Sequence, residues 1–224
     1  TKGLLPHILV VGTFMVLIYL QPDLGTAVII GAWALVLLFV GGVRILQLFS
    51  LFLLGAPLFI WLVWNAEYRV KRWLAFMNPW DDPQGIGFQI IHSFLAFGSG
   101  GIFGAGLGNS KQKLFYLPEP HTDFAFSIMG EELGLIGVTA TIALFGVLIM
   151  GGIRIALNAK DLYSSYLALG LTFFLGLQVI VNMAVVLGLL PTKGLTLPLI
   201  SYGGSSLVMT LAGIGVLLNI SSRN

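Results

Sequence analysis

Runs of apolar residues long enough to cross a lipid bilayer constrain this chain more than any other feature. Crossing the hydrocarbon core takes roughly 20 mostly apolar residues as a helix, because a helix satisfies its backbone polar groups within one segment. Residues 4–20 form a first candidate span, short but flanked by Lys2 and by the break QPDLG. Residues 24–43 form a second, ended by Gly41, Gly42 and Arg44. Ile45–Trp64 is a third, with Pro57 as an expected kink and Trp61 and Trp64 placed as in an interfacial aromatic belt. Residues 124–150, 162–190 and 201–220 supply three more. Only 9% of the 224 residues are charged and 57% are hydrophobic, whereas about a quarter of a soluble domain is charged. Such a surface cannot face water all round. The fold class is therefore an all-α polytopic membrane protein, a single domain over residues 1–224 with six transmembrane helices.

The chain has no cysteine, which removes disulfides and thiolate metal sites and leaves the redox compartment open. Its net charge of +2 forms no basic tract, so nucleic acid is not an expected partner. It starts at Thr1 without a signal-peptide pattern, and is expected to be a piece of something longer. Orientation follows from Lys and Arg in the short loops. One side holds Lys2, Arg44, Arg154, Lys160 and Arg223; the short loops of the other hold only Lys193. The first side is expected to be cytoplasmic. Three spans (4–64) then precede a large extracytoplasmic segment (65–122), and three more (123–220) follow it. The outside segment contains FQIIHSFLAF, too short to span and expected as an interfacial or re-entrant helix.

Most of the polar chemistry sits on that outer side. The glycine-rich GSGGIFGAGLGNSKQK does not fit G-x-G-x-x-G, and no G-K-[ST] follows; its glycines are expected to permit tight turns beside a helix. Lys111 and Lys113 after it, and Arg72 in WNAEYRVKRW, are candidate phosphate contacts; solvated charges and interfacial anchors explain them equally. Glu119, His121 and Asp123 alternate, so an extended segment would aim all three the same way, as a metal site or acid–base pocket. If the chain is already helical at Asp123, then Asp123, Ser127 and Glu131 share a face. Capping by Thr122 or Asp123 is the plainer reading, but capping does not account for Glu131 and Glu132. Both lie two turns into an expected span, where ionisable groups are costly and face a polar cavity. Asp23 in QPDLG reads as a cap, while Lys193 lies outside near the last span. SYGGSS, with Ser205, offers close helix packing or a polar cavity wall.

QPDLGTA, the stretch NPWDDPQGIGFQIIHSFLAFGSGGIFGAGLGNSKQKLFYLPEPHTDFAFSIMGEELGLIG, and LPTKGLTLPLISYGGSSL together resemble the SEDS family of bacterial cell-wall proteins, most closely its cell-division branch. The resemblance covers essentially the whole chain. It implies a ten-span fold with both termini cytoplasmic, of which this chain would supply the last six. It also implies a peptidoglycan glycosyltransferase that polymerises lipid II outside the cytoplasmic membrane, at the division septum, with a class B penicillin-binding protein and other division proteins as partners.

The same resemblance places the catalytic carboxylate at Asp123. An inverting transfer needs a base for the acceptor hydroxyl on one face and stabilisation of departing pyrophosphate on the other. Asp123 is the candidate base. Lys111, Lys113, Arg72, Lys193 or a divalent cation (Mg or Mn) are candidates for the pyrophosphate. Glu119 and His121 would orient the aspartate or the ion, with Thr122 and Ser205 in the substrate-binding set and Glu131 on the cavity floor. Two rivals are a lipid flippase and a division scaffold. Alternating access calls for a polar path across the midplane and often repeats; no internal repeat is visible, and the polar residues crowd one face.

Overall fold

A computed structural model describes residues 3–114 and 117–223, so Lys2 lies outside the described residues. Every regular element among them is helical. The first three are α1 (Leu4–Tyr19), α2 (Leu24–Val40) and α3 (Ile45–Trp64). Asp23 starts α2: its carboxylate accepts the Thr26 amide at 2.9 Å and the Thr26 hydroxyl at 2.5 Å, the bonding expected of a cap. Pro57 is accommodated inside α3.

The outer segment is more ordered than a loop. It holds α4 (Glu67–Met77), a 3-10 turn at Pro79–Asp81, and α5 (Phe88–Gly100). Helix α4 was not foreseen, because its cations read as anchors at a span end. Arg69 in fact ties α4 down, donating to the Leu62 carbonyl at 2.7 Å and lying 5.1 Å over the Tyr19 ring. Helix α5 is the expected short helix, with Ile90, Ile91 and Ala96 buried.

The expected span at 124–150 is the main correction. Helix α6 (Ala125–Leu157) is broken at Gly134, where φ is 65° and ψ is −164°. Residues 125–133 form a half-helix, and 135–157 form a membrane-length helix of about 34 Å at 1.5 Å per residue. The helical bonding interrupted at the break is replaced by the glycine-rich strap. Ala105 and Gly106 amides donate to the Glu131 and Glu132 carbonyls at 2.9 and 3.1 Å, and the Leu135 amide donates to Gly101 O at 2.9 Å. A Cβ at Gly134 would meet the Ile102 carbonyl oxygen at 2.6 Å, and its positive φ also favours glycine. Glu131 and Glu132 thus lie in the half-helix before the break and not in the membrane-length helix that follows it.

Helices α7 (Leu162–Val186) and α8 (Gly204–Ser222) complete the chain. Helix α7 is central, packing on α2, α6 and α8. Half of its apolar stretch is buried in protein, and none of α3's is. Membrane helices approach closely where residues are small; Ala156 and Ala168 are buried in the contact between α6, α7 and α8. On the outer side, Phe124, Phe126, Leu117, Val186 and Leu197 share one core. This core joins the entry to α6, the end of α7 and the connection to α8.

Four helices, α3, α6, α7 and α8, are long and apolar enough to cross a membrane. Helices α1 and α2, with 16 and 17 residues, fall short of the expected spanning length of about 20. The expected six spans are therefore four full-length helices and two short apolar ones.

Candidate functional site

The approach to α6 is a tight turn rather than an extended segment. The Thr122 and Phe124 amides both donate to the Glu119 carbonyl, at 3.3 and 3.4 Å, and Glu119 itself has a φ of 51°. The alternation expected to aim Glu119, His121 and Asp123 together does not apply. Glu119 turns its carboxylate to the Thr122 hydroxyl at 3.0 Å, and Glu119 and His121 are exposed.

Three successive carbonyls of this turn are clamped by other parts of the chain. His121 O accepts the Tyr202 amide at 2.8 Å, Thr122 O accepts the Ser201 hydroxyl at 2.5 Å, and Asp123 O accepts the Asn182 side-chain amide at 3.1 Å. Asp123 is not the cap of α6: Phe124 holds that position, with no side-chain cap bond. The Asp123 carboxylate has no hydrogen bond or ion pair among the described residues. Burial pushes its pKa above the usual aspartate value, and the neighbouring Glu119 charge pushes the same way. A held backbone with an unpaired, partly buried carboxylate suits proton abstraction.

Lys193 arrives from the connection between α7 and α8. Its ammonium donates to the Thr26 hydroxyl at 2.8 Å and lies 3.5 Å from Asp23 Oδ1. Burial pulls the lysine pKa down, against Asp23's opposing charge. On Asp23 burial pulls upward, but the Thr26 hydrogen bonds and the Lys193 charge outweigh it, and the carboxyl sits below its ordinary value. The next residue, Gly194, lies against the Asp123 carboxylate: a Cβ there would be 3.0 Å from Asp123 Oδ2. The turn with Asp123 and the loop with Lys193 therefore touch at Gly194. Beside Lys193 opens a cavity of about 410 Å³, lined on its polar side by Asp23, Arg69, Arg72 and Lys193 and on its apolar side by Val28, Phe59, Trp73 and Val181. Its chemistry matches an anionic head on an apolar tail. Arg72 is exposed, its guanidinium 5.8 Å over the Tyr68 ring.

The other expected contacts lie elsewhere. Glu131 does not line a cavity floor. It is 1% exposed, and its carboxylate accepts the Ser110 hydroxyl and the amides of Lys111 and Gln112, the last two at 3.0 and 3.2 Å. Lys113 is paired with Glu132 at 2.6 Å, which leaves it tied to the strap; the Lys111 side chain is exposed. Ser205 is exposed too, while its neighbours do the bonding: Ser201 on Thr122, and Ser206 with Thr196 at 3.0 Å. No group of three or more His, Asp or Glu that could hold a metal gathers among the described residues. The described residues do not fit a preformed divalent-cation site. Asn182 and Ser201 were missed from the sequence, although an amide inside the apolar run VIVNMAV is a signal in its own right.

The profile of the family described as "Cell cycle protein", FTSW_RODA_SPOVE, matches residues 1–224. The chain belongs to this family. It is 52% identical over 223 residues to the probable peptidoglycan glycosyltransferase FtsW of Geobacter sulfurreducens, covering 100% of this chain and 60% of that protein. It is 51% identical over 220 residues to stage V sporulation protein E of Bacillus subtilis, covering 98% of this chain and 60% of that protein. Among solved structures, it matches a chain of a peptidoglycan synthase complex, described for coordinating polymerization and crosslinking. The TM-score is 0.74 at 34% identity, over 98% of this chain and 60% of that one. It also matches the rod shape determining protein RodA of Thermus thermophilus, with TM-score 0.62 at 33% identity, over 97% of this chain and 54% of that one. The chain thus spans about three fifths of the length of the FtsW and SpoVE relatives.

Proposed function

We propose that the protein to which this FtsW/RodA/SpoVE-family chain belongs is a peptidoglycan glycosyltransferase of cell division, which polymerises lipid II at the outer face of the bacterial cytoplasmic membrane. The observation that carries this is the Asp123 turn: a carboxylate with raised pKa and no partner among the described residues, on a clamped backbone, touching the loop that supplies Lys193. The names of the relatives, at about half identity over the whole chain, support the same chemistry.

In this reading Asp123 accepts the proton of the acceptor sugar's 4-hydroxyl. The freed oxygen bonds to the donor's anomeric carbon as the bond from that carbon to pyrophosphate breaks, its electron pair leaving on the phosphate oxygen. Attack and departure on opposite faces invert the α-linked donor to a β-linkage. Lys193 and Arg72 face the leaving pyrophosphate, and fixed cations in a partly desolvated site stabilise such charge strongly. The apolar wall beside them takes the first part of the undecaprenyl chain. Burial, with the charge of Glu119 added to it, keeps the base's pKa high. The charged groups Asp23, Lys193 and Asp123 all lie at the same end of the helices, opposite Arg44, Arg154 and Arg223, which favours surface chemistry over a path across the midplane.

A class B penicillin-binding protein and other division proteins are the proposed partners, and the septum the proposed location. The matched structure of a complex that coordinates polymerization and crosslinking supports such a partner. The reading is tested by lipid II polymerisation with the full-length parent and its partner. Wild type should yield β-1,4 glycan chains and Asp123→Asn should yield none while the partner remains bound. Normal chain formation by Asp123→Asn would overturn it.

A further inference from the structure

We infer that Asn182 is a positioning residue for the transfer reaction, one that sets the spacing between the base Asp123 and the cation Lys193. The inference rests on the glycosyltransferase reading above. Asn182 lies in α7, 2% exposed. Its side-chain N–H groups reach in two directions at once: one donates to the Asp123 carbonyl at 3.1 Å, the other to the Leu195 carbonyl. Both acceptors are carbonyl oxygens, so the orientation of the amide is forced. One side chain therefore braces the turn that carries the base and the loop that carries the lysine, two residues before Leu195. It refers both to α7, the most deeply packed span.

The other half of the amide carries a cost. Asn182 Oδ1 is buried with no hydrogen-bond partner among the described residues. The unmatched Oδ1 costs stability; a leucine of similar volume removes that cost but leaves the two carbonyls that Asn182 now satisfies without a donor. What a leucine lacks is the pair of donors that hold the two loops at a fixed separation. The surrounding clamp has the same purpose: the Tyr202 amide and Ser201 hydroxyl hold the carbonyls of His121 and Thr122 from the far end of the same connection. Gly194 lies between, where any side chain would press on the Asp123 carboxylate.

An inverting transfer is sensitive to this spacing because base and leaving-group cation act on opposite faces of one carbon. A displacement of about 1 Å can cost on the order of 100-fold in rate. Substrate affinity depends mainly on the cavity, so a spacing defect falls on kcat rather than KM. The test is lipid II polymerisation by the full-length parent with its partner, comparing wild type, Asn182→Leu and Asp123→Asn. The expected result for Asn182→Leu is a fall in kcat of about 10- to 100-fold, a KM within about twofold, and a melting temperature lowered by a few degrees. Should Asn182→Leu fail to fold, Asn182→Ser stays neutral and polar but is too short to hold both loops, and is read in the same way. Normal kcat in the folded variant, or a loss that falls on KM instead of kcat, overturns the inference while the Asp123→Asn control stays inactive. An active Asp123→Asn control instead overturns the base reading, and with it the role given to Asn182.

Discussion

The half-helix between Phe124 and Gly134 carries acids at its two ends, and they are treated in opposite ways. At its exit, Glu131 takes a hydroxyl and two backbone amides, and Glu132 takes the Lys113 ammonium. At its entry, the Asp123 carboxylate has no donor among the described residues, and its pKa is pushed up by burial and by Glu119. All three sit within the same short piece of chain. A carboxylate given several donors is fixed in place, so the exit pair fastens the glycine strap to the half-helix. A carboxylate denied donors retains its basicity. The difference separates a structural acid from a reactive one more clearly than burial does, since Glu131 is the more buried of the two.

The comparison breaks most visibly at the reactive end. Asp123→Asn in the full-length parent is expected to lower lipid II polymerisation by about 100- to 10,000-fold, the usual share of a general base, with the melting temperature little changed. Lys193→Met should come next, with a loss of about 10- to 100-fold, because one cation facing the leaving group is removed; strand synthesis in single turnover reads it directly. At the structural end, Glu131→Gln is expected to cost about 1–3 kcal/mol of stability through weakened bonds to the Ser110–Gln112 strap. Limited proteolysis between residues 105 and 114 should then speed up while the folded enzyme stays active.

The smallest effect is on pH. Asp123 must be ionised to accept a proton, so rate rises with pH through its raised pKa. Burial, the larger cause, survives Glu119→Gln, but the charge of Glu119 does not. The acid limb of the rate profile should therefore move to lower pH in that variant. Lys193, with its pKa below the ordinary lysine value, should end activity on the alkaline side earlier than a free lysine would.

Much of this was legible in residue order. The apolar runs located α1, α2, α3, α7 and α8 to within a few residues, because hydrocarbon leaves only helices as options. The family resemblance singled out Asp123, but the turn that carries it, closed by Thr122 and Phe124 amides on the Glu119 carbonyl, was not legible. The break in α6 was not. A single glycine in GEELGLIG looks like any glycine in an apolar helix, and what makes Gly134 a break is a strap some 30 residues earlier in sequence that completes its hydrogen bonds. Without that break Glu131 and Glu132 had to be placed in a span and given a cavity to face. Lys113 was misjudged for the same reason, since its partner Glu132 was placed inside the membrane. Helix α4 was hidden by cations that also read as interfacial anchors. Asn182 was hidden because its partners are backbone carbonyls, which no side-chain motif announces.

In this reading the two ends of one half-helix do different work. The difference is tested most directly by measuring polymerisation rate and melting temperature on the same preparations of Asp123→Asn and Glu131→Gln in the full-length parent with its partner. The account predicts that Asp123→Asn loses the rate and keeps the melting temperature, while Glu131→Gln lowers the melting temperature and keeps the rate of the folded fraction. A rate lost in Glu131→Gln at unchanged melting temperature, with Asp123→Asn still polymerising, would contradict it.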